Sequence, residues 1–557
     1  MELNTLTAPE FQAMMIAGAD RLNENVDLIN SLNVFPVPDG DTGTNMNMSF
    51  VSGIEKLKES TSNHVGELSN ALAKGLLMGA RGNSGVILSQ IFRGFSKAIE
   101  NEADLDGRTF VKAFAGGVES AYKAVMKPVE GTILTVARES ALAGEQAAKE
   151  SDDIIEIMRE IVQGASVALE KTTDMLPVLK QVGVVDSGGK GLLCIYEGFL
   201  SSLTGEVIIS QDHSKKSDSH SHAIFEETNE HPISMDDITY GFCTEIMVRI
   251  GQGPTVQKSF DYDEFRNTLN EKGDSLLVVA DDEIAKVHIH TENPGEIMQL
   301  GQEFGELIKI KVDNMREQVR ELETQNQALT EHQSVPAEAK DYAIIAVAAG
   351  EGMTEMLKSI GIDYVLSGGQ TMNPSTLDFV EVMESINAER YILLPNNKNI
   401  IMAAEQAVQL VDKPAVVIPT KTIPQAISAI FSFNPEAAIE ENAANMIENI
   451  EMVSTGQITY AIRDTTIDDV EIKKDEFMGI VDDKIVLSVA TAEEALLATL
   501  ECMINKESEI ITIFVGEDGS QEIVESIIEQ LEDRHEDIDF ELIQGDQPVY
   551  EYIMSVE

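Results

Sequence analysis

Helical periodicity dominates the first part of the chain. Apolar residues recur at three- and four-residue spacing through residues 1–205, and strand-like alternation is nearly absent there. The periodic segments are 9–29, 65–77, 86–99, 110–125, 133–150, 154–170 and 191–200. This pattern predicts an all-α domain over residues 1–205.

Three further regions follow, each with a different pattern. Residues 206–237 are polar and predict a linker. Residues 238–328 contain short apolar, β-rich runs at 245–250, 276–280, 285–290 and 307–312. These runs predict a small α+β domain. In residues 341–557 short β-type runs alternate with helical stretches, which predicts an α/β domain with a parallel sheet.

Composition restricts the partners that the protein can have. The 557 residues include 40 Lys and Arg against 96 Asp and Glu, a formal charge of −56. So negative a surface repels nucleic acid and anionic lipid. No apolar run reaches the roughly 18 residues of a membrane span, and the N-terminus lacks the basic start of a secretory signal. Three widely spaced cysteines fit a reducing compartment. We therefore expect a cytoplasmic protein.

An acid pair marks the first candidate site. In the segment NVFPVPDGDTGTNM, residues 33–46, Asp39 and Asp41 are separated by one glycine and followed by small residues at 42–44. Carboxylate oxygens suit a hard cation such as Mg²⁺, which shares its remaining ligand positions with water and phosphate. Taken alone, the segment is more typical of a surface turn than of a metal site.

Three later glycine-containing loops lead directly into apolar helices. They are ARGNSG at 80–85, EGT at 130–132 and DSGGKG at 186–191. A helix N-terminus presents unpaired N–H groups and partial positive charge, which favours phosphate binding. Arg81 adds a full positive charge, Asp186 can pair with a metal or a ribose, and Ser84 can contact phosphate or simply cap its helix. Four such loops in one helical domain indicate a nucleotide site.

The motifs also carry a family resemblance. NVFPVPDGDTGTNM, ARGNSG, KPVEGTILTV and VVDSGGKGL resemble the nucleotide-binding motifs of the DhaL-type domain of dihydroxyacetone kinases. In the order of these motifs and in its length, the chain resembles more closely the FakA-type catalytic subunits of bacterial fatty acid kinases. This resemblance implies a helical barrel that binds Mg²⁺ and ATP, a middle domain, and a C-terminal α/β domain similar to DegV-like fatty-acid carrier proteins. It also implies a homodimer.

The same resemblance assigns residues to the Mg–ATP site. Asp39 and Asp41 match the metal-binding aspartates. From its charge, and not from the resemblance, Arg81 is expected to offset the repulsion between the two reacting anions. The resemblance places Ser84, Gly85, Thr132 and Asp186 in the nucleotide loops. The full set of candidate nucleotide-binding positions is Asn33, Thr42, Gly43, Thr44, Asn45, Gly82, Asn83, Ser84, Gly85, Gly131, Thr132, Asp186, Ser187 and Gly188. Asn33 departs from the dihydroxyacetone-kinase type, which has an acid near this position. A second metal ion would therefore be held by less charge.

A second constellation lies in the region 238–328. His288 and His290 alternate along a predicted strand, so their side chains share one face with α-carbons about 7 Å apart. Cys243 can join them, because two imidazoles and a thiolate suit Zn²⁺. The alternative is two sheet histidines beside a buried cysteine. The family resemblance, in which this domain carries a Cys/His cluster, favours the metal.

These observations predict an ATP-dependent kinase. The resemblance implies that it phosphorylates a fatty acid, presented by a DegV-like carrier protein, to an acyl phosphate for phospholipid synthesis. Two alternatives stay open: a dihydroxyacetone-type polyol kinase subunit, and a scaffold that senses ATP without turnover. For the C-terminal domain, loops at strand ends (367–376 and 394–399) indicate either an acyl pocket or a docking module, and docking is favoured.

Overall fold

The described residues fold into two compact units. In the computed structural model these residues are 2–33, 40–125, 127–205, 239–256, 258–280, 284–316, 340–369, 373–461, 464–467, 470–535 and 537–557. One unit contains the described residues up to 205 together with those from 340 onward, and the other contains residues 239–316. The predicted linker at 206–237 lies outside the described residues.

The described part of residues 2–205 is helical, as predicted. The helices are α1 (Ala8–Asn23), α2 (Val26–Leu32), α3 (Thr42–Glu59), α4 (Val65–Met78), α5 (Gly82–Ala98), α6 (Gly107–Ala124), α7 (Ile133–Ala147), α8 (Ile154–Met175), α9 (Pro177–Val182) and α10 (Ser187–Thr204). Their apolar faces share one core. Within it the ring of Phe114 packs edge-on against Phe95 and Tyr196, with centroids 5.4 and 5.3 Å away.

Helix α3, like the short helix α9, is not among the segments that the hydrophobic pattern predicted. Its first turn is rich in threonine and asparagine, which is typical of a loop. Its buried side chains nevertheless recur at helical spacing, through Met46, Phe50, Ile54 and Leu57. Because α3 begins at Thr42, the acid pair lies directly before a helix N-terminus.

The second unit is an antiparallel sheet with helices on one face. Its elements are β1 (Phe242–Ile250), α11 (Tyr262–Asn270), β2 (Gly273–Ala280), β3 (Ile284–Thr291), α12 (Pro294–Phe304) and β4 (Gly305–Asn314). The strand order is β2-β3-β1-β4. Ile246 and Val248 of β1 pack against Phe265 of α11 and Phe304 of α12. The predicted α+β region is therefore confirmed.

The described part of residues 340–557 is α/β. Its strands are β5 (Ala343–Ala348), β6 (Tyr364–Ser367), β7 (Tyr391–Leu394), β8 (Ala415–Val417), β9 (Ser454–Tyr460), β10 (Thr465–Ile467), β11 (Val470–Ile472), β12 (Phe477–Val481), β13 (Lys484–Val489), β14 (Ile510–Val515), β15 (Asp539–Gln544) and β16 (Tyr552–Val556). Its helices are α13 (Glu351–Ser359), α14 (Thr376–Ser385), α15 (Lys398–Val408), α16 (Ile423–Phe431), α17 (Ile439–Ile450), α18 (Ala492–Met503) and α19 (Gln521–Glu532).

The predicted parallel sheet is right for only half of this region. The sheet β6-β5-β7-β8 is parallel, whereas the sheet β13-β12-β9-β16-β14-β15 is mostly antiparallel. Strands β12 and β13 form a hairpin whose two turn residues, Asp482 and Asp483, have positive φ, so they pair antiparallel. Strand β16 adds a second antiparallel element between β14 and β9.

Among the helices of the described residues, none combines the length and apolar character that a membrane crossing requires.

Candidate nucleotide and metal sites

Three of the predicted loops meet at one end of the helical bundle, and the fourth lies beside them. The Arg81 backbone N–H donates to Ser49 Oγ at 3.1 Å, which joins the start of α5 to α3. Ser187 Oγ donates to Thr42 Oγ1 at 3.3 Å, which joins the start of α10 to the start of α3. Helix α7 packs along α10 in turn. The positive ends of several helices therefore face one region, which favours a polyanionic ligand.

Two glycines allow these helices to approach. A Cβ on Gly43 would lie 2.5 Å from the Val26 carbonyl oxygen of α2, and one on Gly85 would lie 2.3 Å from Ser49 Oγ of α3. Real side chains do not tolerate such distances. Part of what the sequence presents as ligand loops is therefore required for helix packing.

Asn30 holds the first turn of α3 in place. Its Oδ1 accepts hydrogen bonds from the Gly43 and Thr44 N–H groups at 2.7 and 3.2 Å, and its Nδ2 donates to Thr44 Oγ1 at 3.0 Å. These two N–H groups already have an acceptor within the chain. Sequence reasoning missed Asn30, since a single polar residue in a short helix gives little signal.

Asp41 is the buried carboxylate of this site. Its Oδ2 accepts from Asn373 Nδ2 at 2.6 Å. Burial raises the pKa of Asp41, while hydrogen bonds from Asn45 and Asn373 oppose that rise. The oxygen donors present fit a hard cation such as Mg²⁺. Its predicted companion Asp39 lies outside the described residues, and Asn33 is buried at the end of α2.

Asp186 joins two of the helix starts. Its Oδ2 accepts from the Gly189 N–H at 2.7 Å, which caps α10, and the Ile133 N–H of α7 also donates to this carboxylate. The Asp186 N–H donates to Thr172 Oγ1 at 3.0 Å. Burial raises the pKa of Asp186 to about 6 in spite of its two backbone donors. This carboxylate is therefore a structural cap as well as a candidate ligand.

The loop before α7 is shaped by its own hydrogen bonds. Thr132 Oγ1 donates to the Val129 carbonyl at 2.8 Å and accepts weakly from the Leu134 N–H at 3.4 Å. Gly131 has a φ of +86°, a conformation that favours glycine, and its N–H donates to Thr135 Oγ1 at 2.8 Å. The loop therefore sets the direction of α7 without help from a ligand.

Arg81 and the loop 82–85 lie against both α3 and the C-terminal region. Gly82 has a φ of +57°, and a Cβ there would lie 2.6 Å from Asn45 Nδ2. The Arg81 guanidinium donates to the Asn373 carbonyl at 2.8 Å and lies 3.6 Å from the Asp378 carboxylate. Asn83 and Ser84 occupy the first turn of α5. Nothing in the sequence linked residues 373–378 to this site.

The second unit brings the three predicted metal ligands together. Cys243, His288 and His290 lie on the sheet face opposite the helices, and one ligand atom from each falls within 4.8 Å of the other two. Cys243 is directly across from His290 in the β1–β3 pairing, and its Sγ lies 3.9 Å from His288 Nδ1. A thiolate and two imidazoles are a donor set that fits Zn²⁺.

Two carboxylates accompany these ligands. Glu245 Oε1 lies 3.2 Å from His288 Nδ1, and Asp274 Oδ1 lies 3.6 Å from His290 Nδ1. Carboxylates in such positions orient metal-binding imidazoles. Burial, and then the neighbouring His288, lower the pKa of His290 against the opposing effect of Asp274. The two-residue spacing of Cys243 and Glu245 was the sequence signal that could have identified Glu245.

The C-terminal region contains a cleft between its two sheets. The predicted strand-end loops line it through Gly368, Gly369, Asn396 and Asn397, opposite Tyr550. Its cavity volume is about 60 Å³, enough for a few water molecules but not for a long acyl chain. As it stands in this structure, the cleft therefore does not enclose a long acyl chain.

Comparison with known protein families gives three matches in order along the chain. Residues 36–201 match the DAK2 domain, residues 239–322 match the middle domain of FakA-like fatty acid kinase proteins, and residues 343–557 match the C-terminal domain of the same proteins. Uncharacterized proteins from Staphylococcus aureus strains bovine RF122 / ET3-1 and USA300 are each 51% identical over 549 residues. Each alignment covers 98% of this chain and 98% of the relative.

Solved structures align with parts of the chain at low scores. A DegV family protein from Corynebacterium glutamicum aligns with 39% of this chain and 97% of its own length, with 15% identity and a TM-score of 0.31. A fatty-acid-binding DegV family protein from Thermus thermophilus aligns with 39% of this chain and 99% of its own length, with 11% identity and a TM-score of 0.29. The dihydroxyacetone kinase of C. freundii aligns with 34% of this chain and 34% of its own length, with 18% identity and a TM-score of 0.28.

Proposed function

The chain belongs to the FakA-like family of fatty acid kinase proteins, and from this premise we propose that it phosphorylates fatty acids with ATP. The product is an acyl phosphate. The observation that carries the proposal is the meeting of the starts of α3, α5 and α10 beside the buried carboxylate of Asp41. A cation on an acid, next to several positive helix ends, is the arrangement that a triphosphate requires.

The proposed reaction needs no general base. A carboxylate oxygen of the fatty acid attacks the γ-phosphorus, the bond from that phosphorus to the β–γ bridging oxygen breaks, and ADP leaves with the electron pair. No proton moves, because a fatty acid is already ionised at neutral pH. The protein therefore needs only to align two anions and offset their repulsion.

The residues of the chain divide this work between them. Asp41, with Asp39, would hold Mg²⁺, which when bound neutralises charge on the phosphate oxygens. The N–H groups at the start of α5, around Ser84, would bind phosphate oxygens. Arg81 would offset the charge between the two reacting anions once it is released from Asn373. Asp186 would act at the ribose or metal side of the nucleotide.

In the second unit Cys243, His288 and His290 would hold Zn²⁺, with Glu245 and Asp274 orienting the two imidazoles. When bound, Zn²⁺ supplies a fixed positive charge and one open position for a further ligand.

We further propose that a DegV-like carrier protein presents the fatty acid. Long acyl chains are poorly soluble, so a kinase gains by accepting them from a protein. For the C-terminal region we propose docking of this carrier rather than lipid storage.

The family resemblance implies a homodimer, and we propose that strand β4 forms its interface. This strand is at one edge of its sheet. Ile308, Ile310 and Val312 are 37%, 50% and 36% exposed along it. An edge strand with an open apolar row is suited to pairing with its own copy across a two-fold axis.

Acyl hydroxamate formation tests the proposed reaction. The full chain, Mg–ATP, a fatty-acid-loaded DegV-like carrier and hydroxylamine are mixed, and the trapped hydroxamate is measured. We expect product with the wild type and its loss with Asp41→Asn. Asp104→Asn serves as the matched control, because this exposed carboxylate lies beyond the C-terminal end of α5, away from the site. Unchanged turnover in Asp41→Asn would disprove the metal site.

The two alternatives give different results in the same assay. A polyol kinase would consume ATP with dihydroxyacetone and make no hydroxamate. Such an enzyme needs a base or a covalent carbonyl anchor, and no lobe carrying one is recognisable in the sequence. A sensing scaffold would bind Mg–ATP tightly without turnover of either acceptor.

A further inference from the structure

A segment of the C-terminal region lies directly on the proposed phosphate site. Residues 373–378, here called the covering segment, run past the start of α5. Ser375 forms an antiparallel bridge with Arg81, and the Thr376 N–H donates to the Ala80 carbonyl at 3.1 Å. The covering segment therefore pairs with the loop that leads into the phosphate-binding helix.

The covering segment is hydrogen-bonded to the candidate metal ligand Asp41. Asn373 Nδ2 donates to Asp41 Oδ2 at 2.6 Å and lies 3.4 Å from Asn45 Oδ1. Asn373 is only 1% exposed. The lone pair that accepts this N–H cannot bind a cation at the same time. The contact therefore takes one of the roughly four lone-pair positions of the Asp41 carboxylate and covers its Oδ2.

The covering segment also engages the candidate phosphate-binding cation. Arg81 donates to the Asn373 carbonyl at 2.8 Å, and Asp378 Oδ2 lies 3.6 Å from the same guanidinium nitrogen. The guanidinium thus faces a carbonyl and an acid of the covering segment. A carboxylate at this position also repels an incoming triphosphate.

The covered arrangement leaves one polar group unsatisfied. Asn373 Oδ1 is buried and has no hydrogen-bond partner among the described residues. A buried amide oxygen without a donor is destabilising, because it has lost its hydrogen bonds to water and gained none. Withdrawal of the segment into water would hydrate this oxygen, which offsets part of the loss of the hydrogen bonds that the segment makes to Asp41, Arg81 and Ala80.

A second interface holds the covering segment in place. Asn83 Nδ2 of α5 donates to Asn399 Oδ1 of α15 at 3.1 Å, and Gln406 Nε2 of α15 donates to the Leu77 carbonyl at 2.8 Å. Val86 of α5 is part of the apolar cluster of the first C-terminal sheet. Opening therefore involves the face that α15 presents to α5 as well as the segment itself.

We propose that residues 373–378 are an inhibitory latch on the kinase site. In the latched state Asp41 and Arg81 are bound to the chain itself, and Mg–nucleotide binds only after the covering segment withdraws. The inference rests on the proposed function only in placing Mg–nucleotide at Asp41 and α5. It adds a competition between that ligand and the C-terminal region.

Binding of Mg²⁺ with the non-hydrolysable ATP analogue AMPPNP to the full chain tests the latch. Isothermal titration calorimetry is suited to the measurement. Asn373→Ala is expected to lower the Kd about fivefold or more, because the competent fraction of the protein rises. Gln406→Ala is expected to act in the same direction, although Gln406 is outside the proposed ligand site. Asn445→Ala, an exposed asparagine on α17, is the matched control.

The opposite results overturn the proposal. A higher Kd in Asn373→Ala would show that its amide supports the ligand instead, and an unchanged Kd in both variants would show that the contact has no effect on binding. Absence of binding in every variant would overturn the site together with the latch. Failure to form acyl phosphate while the Kd falls as expected would reject the acceptor alone.

Hydrogen exchange on the wild-type chain gives an independent measurement. On addition of Mg–AMPPNP we expect the amides of residues 375–385 to exchange faster, because withdrawal removes the contacts of this stretch with Ala80 and Arg81. Slower or unchanged exchange there would contradict the latch. This readout requires neither a substitution nor turnover.

Discussion

At the scale of single residues, several predicted ligands have a structural role that is visible without any ligand. Asp186 caps α10, Thr132 shapes the start of α7, and Gly43 allows α3 to approach α2. The residue types that suit nucleotide loops also suit tight helix starts, because both need small side chains and oxygen acceptors. Variants at these positions should therefore be tested for folding as well as for binding.

Asp186 gives a prediction about pH. Its pKa of about 6 lies above the usual value for an aspartate, so between pH 4 and 6 the folded chain binds more protons than the unfolded chain. The Asp186 contribution to stability therefore falls as the pH rises through this window and is constant above it. Between pH 5 and pH 7 the unfolding free energy of the wild type should therefore fall by about 1 kcal/mol more than that of the Asp186→Asn variant.

Thermal unfolding midpoints of wild type and variant, measured without nucleotide from pH 5 to 7.5, check this expectation. A difference that stays flat across the range would show that the Asp186 pKa is not raised.

Gly43→Ala is expected to destabilise the helical region. The new Cβ would meet a backbone carbonyl at 2.5 Å, and backbone cannot move aside as a flexible side chain can. Overpacking of this kind costs roughly 1–3 kcal/mol. A lower thermal midpoint and weaker Mg–AMPPNP binding should appear together. Gly295→Ala, where nothing lies within 4 Å of the added Cβ, should leave both unchanged; equal effects of the two variants would contradict the packing argument.

At the scale of elements, the candidate sites form only where neighbouring strands or helix starts bring residues together from separate parts of the sequence. Strands β1 and β3 place Cys243 across from His290, and the alternation within β3 adds His288 on the same face. The alternation was readable from the sequence, and the pairing register was not. The glycine-containing helix starts were also readable from the sequence, but their spatial order, α5 next to α3, then α10, then α7, was not, because it follows from helix packing.

Zinc content tests the strand site. Purified under zinc-replete conditions, the wild type is expected to retain about one zinc ion per chain, and Cys243→Ser is expected to lose most of it, because a hydroxyl is a far weaker ligand than a thiolate. Cys502→Ser is the matched control, since Cys502 is exposed on α18 outside the cluster. Atomic emission spectroscopy provides the measurement. Equal zinc in both variants would exclude Cys243 as a ligand.

At the scale of the whole molecule, long-range contacts decide how the candidate site is arranged. Asn373 and Asp41 are separated by 332 positions in sequence but are hydrogen-bonded. This contact arises within one compact unit that contains both the helical and the C-terminal α/β regions. The arrangement of the candidate site therefore depends on the C-terminal region as well as on the helical one.

The proposed homodimer gives the prediction that belongs to this scale. Ile310→Glu places a charge in the exposed apolar row of β4 and is expected to convert a dimer to a monomer. Val486→Glu on β13 is the matched control, because Val486 is a similarly exposed apolar residue on the edge strand of another sheet. Sedimentation velocity distinguishes the two states. A dimer that survives Ile310→Glu would exclude β4 as the interface.

The sequence by itself determined the helical first region, the α+β middle, the α/β end and the residues whose types suit metal and phosphate. Local periodicity and short motifs encode these features, and each is complete within a few dozen residues. It did not reveal α3, whose first turn is polar, or the antiparallel half of the C-terminal strands, which depends on a hairpin and on the last strand.

Only the tertiary structure decided which residues meet. It placed Asn30 under the first turn of α3, Glu245 and Asp274 beside the histidines, and Asn373 on Asp41. Such contacts follow from the packing of whole elements, and no local pattern records the partner of a buried polar group. For this protein the candidate residue types are therefore readable from the motifs, whereas the contact that we propose as a latch joins distant parts of the chain.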